Sequence, residues 1–264
     1  MDRDKLLKWL PWVSTPVLLI AILGIWKFAT VAFGISRFVL PPPEDVATAL
    51  VSLVQQPDVW LVQVRTTLAE TVIGFSSGLV AGVFVGAVLG RVLWLERAVR
   101  PVVVTLQVIP KVALIPLFVI WFGFGMTAKI AVAAILAFFP IMLNVLLGVR
   151  SVERGHREVM RSLDAGRWQT FRSLDFHSTL PYVFAGMEVG IVFALIGAIV
   201  GEYLGGNQGL GYMVVVSLNA LDAPKLFAVI ILLAALGSVL FFAVNLIKRW
   251  TIPWHESVIE KTGA

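Results

Sequence analysis

The chain has 264 residues, of which 59% are hydrophobic and 14% charged, against roughly 25% charged in a soluble domain; with a mean hydropathy of +0.92, one water-soluble core is excluded. Cysteine is absent, which excludes disulfides and thiolate metal sites, and the histidines at 156, 177 and 255 do not assemble a metal centre, so neither metal nor cofactor is expected. The net charge of +5 is not interleaved with aromatics along one face, as nucleic-acid binding would require, but flanks apolar stretches, as in a membrane protein.

About 20 helical residues cross a hydrocarbon core of about 30 Å. Six stretches meet that length, giving an all-α, polytopic bundle of six transmembrane helices. The first is 16–34. Asp2 to Lys8 followed by an apolar run imitates a signal peptide. The run continues past Lys27, which can snorkel outward, so an uncleaved helix is expected. With the following segment it makes a unit over 1–60; the core transmembrane unit is 61–250 and the tail 251–264.

The second stretch, 66–90, carries Gly74, Gly78, Gly82, Gly86 and Gly90, each four residues after the last. Small residues on one face let helix backbones approach closely in lipid. A helix–helix seam is expected, with a sliding surface used in gating as the sharper alternative. The third, 101–122, contains Pro110 and Pro116, each of which removes a donor and clashes with the preceding turn. A bent or interrupted helix follows, tolerated where protein or a cavity satisfies the freed groups. Pro140 does the same in the fourth, 128–149. The fifth is 181–204 and the sixth 225–247.

Between the fourth and fifth lies a segment, 150–180, too polar for the membrane and too patterned for a linker. Its order predicts a short helix, a break at Gly166, a second short helix, and Pro181 heading the next span, a favourable place for proline. Of the 21 basic residues, 15 fall in the N-terminus, the 91–100 loop, this segment and the tail. The positive-inside rule makes that side, and both termini, cytoplasmic.

The segment resembles the EAA loop of ABC importer permeases. Aligned through Arg167-Trp168-Gln169 and Leu180-Pro181, Glu158 takes the Glu position. Val159 and Met160 replace the two alanines, Asp164 falls where the family has glycine, and Gly166 sits two residues late. Further stretches resemble the nitrate/sulfonate/taurine-type permeases: Leu40-Pro41-Pro42-Pro43; Ile109-Pro110-Lys111 through Pro116-Leu117 and Trp121-Phe122-Gly123-Phe124-Gly125; and Glu202-Tyr203-Leu204-Gly205 with Gly209-Leu210-Gly211-Tyr212. The resemblance covers residues 40–248. It implies a MetI-like permease in the bacterial inner membrane, working as a homodimer with two cytoplasmic ABC ATPase subunits and a periplasmic substrate-binding protein. It implies that Glu158, Leu163, Asp164, Ala165, Gly166, Arg167, Trp168 and Phe171 form a coupling helix that docks in the ATPase, with Leu163, Trp168 and Phe171 as apolar anchors. The alternative for this segment is an amphipathic helix bound to lipid headgroups. The resemblance also implies a small anion as cargo, among relatives that carry sulfonates, taurine, nitrate, aromatic carboxylates and pyrimidine-type vitamin precursors.

No phosphate-binding loop is present: 205–211 is glycine-rich but lacks the lysine. No catalytic motif is visible, so the chain is not expected to be an enzyme. Charges inside spans are costly and need a partner or a task. Lys111 near the middle of the third span has two readings, attraction of an anionic cargo or an ion pair with Glu188. Glu202 with the Gly209–Gly211 turn is expected at an outer gate. An ion-gradient-driven transporter is the competing class; it calls for inverted repeats and mid-membrane carboxylates, of which only Glu188 approaches the required depth.

Overall fold

The computed structural model describes the backbone of residues 3–255, with side chains from Ser14 onward except Thr15 and Arg154. Arg3, Lys5, Lys8, Arg154 and Lys261, which entered the orientation argument, and most of the tail lie outside the described side chains. Every regular element among the described residues is helical. In chain order they are α1 (Arg3–Ala32), α2 (Pro43–Gln55), α3 (Arg65–Arg91), α4 (Leu93–Val108), α5 (Ile115–Phe122), α6 (Met126–Arg150), α7 (Arg154–Ser162), α8 (Arg167–Thr170), α9 (Phe176–Gly205), α10 (Leu210–Asn219) and α11 (Ala223–Thr251).

Helices α3, α6, α9 and α11 are long and apolar enough to cross a membrane, and α4 with α5 makes a fifth candidate if the bent pair counts as one span. Within α1 the described stretch Pro16–Ala32 is apolar. The expected spans at 66–90, 128–149 and 225–247 agree with α3, α6 and α11 to within a few residues.

The third stretch differs from a single rod. Helix α4 starts at Leu93, so 93–100 is helix rather than loop, and Pro101 lies inside it. The chain then breaks at Ile109, which is extended (ψ 125°), the conformation a following proline imposes. A single 3₁₀ turn, Lys111–Leu114, leads into α5. The axes of the two halves differ by 84°. Pro110 therefore makes the interruption, while Pro116 bends nothing: it sits in the first turn of α5, where its missing N–H has no partner to lose. Pro140 stays within α6. Pro181 is likewise internal, because the fifth helix begins earlier, at Phe176, and is continuous through the π turn Phe171–Asp175 with α8.

The core is the trio α3, α6 and α9. The glycine stripe of α3 lies against α6 throughout. A Cβ at Gly74 would stand 2.5 Å from Ala133 Cβ, at Gly78 2.6 Å from the Ala134 carbonyl, at Gly82 3.0 Å from Ile141, at Gly86 2.5 Å from the Met142 carbonyl and at Gly90 2.7 Å from Val149 Cβ. Both partners rise together along this seam, so α3 and α6 run parallel. Gly186, Gly190, Gly197 and Gly201 of α9 meet Ile141, Ile141, Ala133 and Lys129 of α6 in falling order, so α9 is antiparallel to both. Two parallel neighbours oblige the intervening chain to return from one end of the bundle to the other. The bent pair α4–α5 therefore makes one net passage along the bundle.

At the arginine-rich end lie the ends of α3, α6 and α11, with Ile252 buried against Phe184 and Leu180. At the opposite end α2, α10 and the start of α11 share a core of Leu53, Val59, Leu210, Met213, Ala228, Val229 and Leu232. There the Trp26 ring of α1 lies 5.8 Å from that of Phe227 at a tilt of 34° and its N–H donates to the Pro41 carbonyl at 3.0 Å.

Candidate functional site

Three regions carry the functional expectations: the loop 150–180, the polar cluster at the opposite end, and the surroundings of Lys111.

The loop folds as two short helices around a tight turn. Helix α7 ends at Ser162, and Asp164 adopts a left-handed conformation (φ 50°). The Asp164 N–H donates to the Arg161 carbonyl and the Ala165 N–H to the Met160 carbonyl, each at 3.0 Å. This is the closing pattern in which glycine is the usual left-handed residue, and Asp164 stands where the EAA pattern has its glycine. Gly166 then leads α8, its N–H donating to Gln169 Oε1 at 2.9 Å. Leu163 and Trp168 are each 70% exposed. Phe171 is half-buried beneath Trp168, with ring centroids 5.6 Å apart. Glu158, Ala165 and Arg167 lie on or beside the same two helices, Glu158 and Arg167 exposed.

Ion pairs clamp this loop to the bundle. Asp175 receives Arg157 of α7 at 3.1 Å and Arg91 from the end of α3 at 3.9 Å. The Arg91 guanidinium also lies 4.8 Å from the Phe171 ring centre. Glu96, buried at the start of α4, takes Arg100 at 2.6 Å and Arg150 of α6 at 3.3 Å. The His177 ring lies 5.6 Å from that of Trp254 beyond α11, at a tilt of 43°. Asp175 thus ties α7 to α3 and to the start of α9, while two large apolar side chains face outward.

At the opposite end Glu202 is fully buried. Its carboxylate accepts from Thr67 Oγ1 at 2.7 Å and from the Gly211 N–H at 2.6 Å. Thr67 Oγ1 in turn accepts from the Leu210 N–H at 2.8 Å, and Gln63 Oε1 from the Gly209 N–H at 2.7 Å. Gly209 (φ 107°) presses against the Glu202 carboxylate, a place with room for neither a Cβ nor an ordinary residue's backbone preference. Glu202 therefore caps the start of α10 and ties it to α3. Beside it Lys129 of α6 pairs with Glu70 of α3 at 2.8 Å, both buried. Sequence reasoning missed this pair; the signal was two opposite charges in apolar stretches at matching depth.

Lys111 does not meet Glu188. Its ammonium donates to the Gln107 carbonyl at 3.2 Å and lies 4.8 Å from the Phe139 ring centre. It lines a small open pocket with Gln107, Phe139, Leu143 and Phe193. Glu188 is instead paired with Lys248 of α11 at 3.0 Å. The proposed Lys111–Glu188 pair is thus replaced by one between α9 and α11, because the break at 109–110 carries Lys111 onto the α6 side. No group of metal-ligating side chains occurs among the described residues.

An apolar helical bundle with four or five helices of membrane-crossing length is the architecture of a polytopic membrane protein. The chain belongs to the family of binding-protein-dependent transport system inner membrane components, matched over residues 78–253. It is 33% identical over 247 residues to the riboflavin transport system permease protein RibX of Chloroflexus aurantiacus, covering 94% of this chain and 92% of that one. It is 34% identical over 235 residues to the formylaminopyrimidine transport permease protein ThiX of Halalkalibacterium halodurans, covering 89% and 93%. It is 29% identical over 244 residues to the taurine transport system permease protein TauC of Escherichia coli, covering 91% and 89%. The expected kinship with the sulfonate, taurine and nitrate permeases of ABC importers therefore stands. In this family the chain is the membrane component, and ATP hydrolysis belongs to partner subunits.

Proposed function

We propose that two copies of this chain form the pathway of an ABC importer in the bacterial inner membrane, with two ATPase subunits at the arginine-rich, cytoplasmic end and a binding protein at the other. In this proposal α1, the bent pair α4–α5 and the four long helices make six crossings, with both termini cytoplasmic. The observation that carries the coupling role is the pairing of exposed Leu163 and Trp168 with a loop tied to α3 and to the start of α9 through Asp175. Closure of the ATPases moves α7 and α8, and the clamps transmit the motion to the bundle. Access then alternates between the two ends. A symmetric pair encloses a path that one subunit of this size cannot. Glu202 and the Gly209–Gly211 turn sit beside the outer end of that path as the hinge of its gate.

The cargo is a small anion such as a sulfonate, taurine or nitrate, with Lys111 as the cation beside the route. Two observations favour a second reading, a neutral heteroaromatic cargo: the named cargoes of the RibX and ThiX relatives, and the Phe139 and Phe193 rings around Lys111.

The test is purification of the complex through its ATPase, with the native chain and with Leu163→Asp/Trp168→Asp. Both positions are exposed, so the substitutions spare the fold. Copurification of the native chain and loss of the variant is the expected result. Equal recovery of both would remove the loop from the docking surface. Uptake by Lys111→Met separates the cargo readings: an anionic cargo predicts loss of uptake, a neutral aromatic one its retention.

A further inference from the structure

Between the loop and the ends of α3 and α6 lies a cleft of about 910 Å³ lined by Arg91, Arg150, Arg157, Arg161 and Arg167 against one carboxylate, Asp175. Asp175 is taken up by Arg157 and Arg91, and Arg150 is held by Glu96. Arg161 and Arg167 make no ion pair among the described residues. A concentration of guanidinium groups with two left uncompensated is a built anion site, and the planar fork of arginine matches phosphate oxygens in pairs. Leu163 and Trp168, the two exposed apolar side chains offered for docking, are not part of this lining, which shares Ala165, Arg167 and Phe171 with the coupling segment.

Its position selects the carrier of the phosphate. The cleft opens at the ends of two helices of membrane-crossing length, the level of lipid headgroups. Leu93 and Trp94 beside it are 51% and 73% exposed, an apolar apron suited to acyl chains, with tryptophan at the interface where it is favoured. We propose that the cleft seats the phosphate of an anionic phospholipid headgroup, with Arg161 and Arg167 as its uncommitted ligands. Basic pockets between transmembrane helices on the cytoplasmic side suit such headgroups. The proposal holds whichever cargo crosses.

The test uses the whole complex with its ATPases, placed in nanodiscs of phosphatidylglycerol or phosphatidylcholine, released into detergent and weighed by native mass spectrometry. The native chain is expected to retain phosphatidylglycerol and not phosphatidylcholine. Arg161→Gln/Arg167→Gln is expected to hold phosphatidylglycerol about thirtyfold more weakly, the effect of losing two cations at the membrane surface. Arg97→Gln/Arg249→Gln, the same loss of charge outside the cleft, is expected to retain it. Circular dichroism of each variant verifies the fold. Displacement of the lipid by excess inorganic phosphate would support the phosphate site and assign it to the soluble ion. Equal retention of both lipids, retention unaffected by the Arg161 and Arg167 substitutions, or loss of the lipid whenever the ATPases are bound would overturn the proposal; in the last case the arginines face protein.

Discussion

Lys129 and Glu70 form a buried pair between α6 and α3, and one oxygen of Glu70, Oε2, has no hydrogen-bond partner. Removing one member leaves the other charge buried and uncompensated, at a cost of about 3–5 kcal/mol. Lys129→Met should therefore lower thermal stability in detergent sharply, and Lys129→Met with Glu70→Gln should recover most of the loss. Asp164 makes the opposite case. A non-glycine residue in the left-handed region costs roughly 1–2 kcal/mol, less for aspartate than for others. Asp164→Gly should keep copurification with the ATPase and melt no lower than the native chain, while Asp164→Val should melt lower. At this scale the sequence named the residues better than their partners. Glu188, Lys111 and Glu202 stood out as charges in apolar surroundings, but Glu188 meets Lys248, 60 residues away, and Lys111 meets an aromatic ring. Such pairings depend on helix rotation and on the break at Pro110, which periodicity does not set. Glu202 was expected to act with the 209–211 turn, and its buried carboxylate accepts from the Gly211 N–H of that turn.

Among the elements, the seam between α3 and α6 has the tightest requirement. Adding a methyl at Gly86 would set it 2.5 Å from the Met142 carbonyl, whereas Gly24 on α1 has nothing within 4 Å. Overpacking costs typically about 1–3 kcal/mol. Gly86→Ala should thus lower the unfolding midpoint, and Gly24→Ala should leave it unchanged or raise it slightly through helix propensity. The four-residue spacing made this seam legible in the sequence, as it did the long helices, because lipid demands about 20 apolar residues and a close-packing face. The short helices were not legible. Helix α2 is 13 residues and α10 is 10, too short to register as spans, and both are held by packing on α11. The start of α4 was masked by Arg97 and Arg100, which read as loop; Glu96 hides among them as the buried anchor of Arg100 and Arg150.

The whole molecule follows from one topological fact. Helices α3 and α6 are parallel and α9 antiparallel to both, so the interrupted pair α4–α5 must carry the chain from end to end of the bundle. The loop 150–180 then emerges at the end of α6, where the arginines collect, opposite Glu202 and the 209–211 turn. Charge counting anticipated that polarity, and the pattern around Asp164 and Gly166 anticipated the two short helices. It did not anticipate the clamps through Asp175, which join positions up to 84 residues apart along the chain, from Arg91 to Asp175.

The central claim is that this loop is where the ATPases push. Because the chain has no cysteine, a single cysteine introduced at Leu163 is the only thiol it offers to a short maleimide–diazirine reagent, whose photoactivated end inserts into the protein it faces. Membranes containing the assembled complex should give a cross-link between that position and the ATPase, with a yield that changes when ATP is added. A cysteine at Phe38, exposed near the opposite end, should give none. Absence of the Leu163 cross-link, or an equal one from Phe38, would contradict the account.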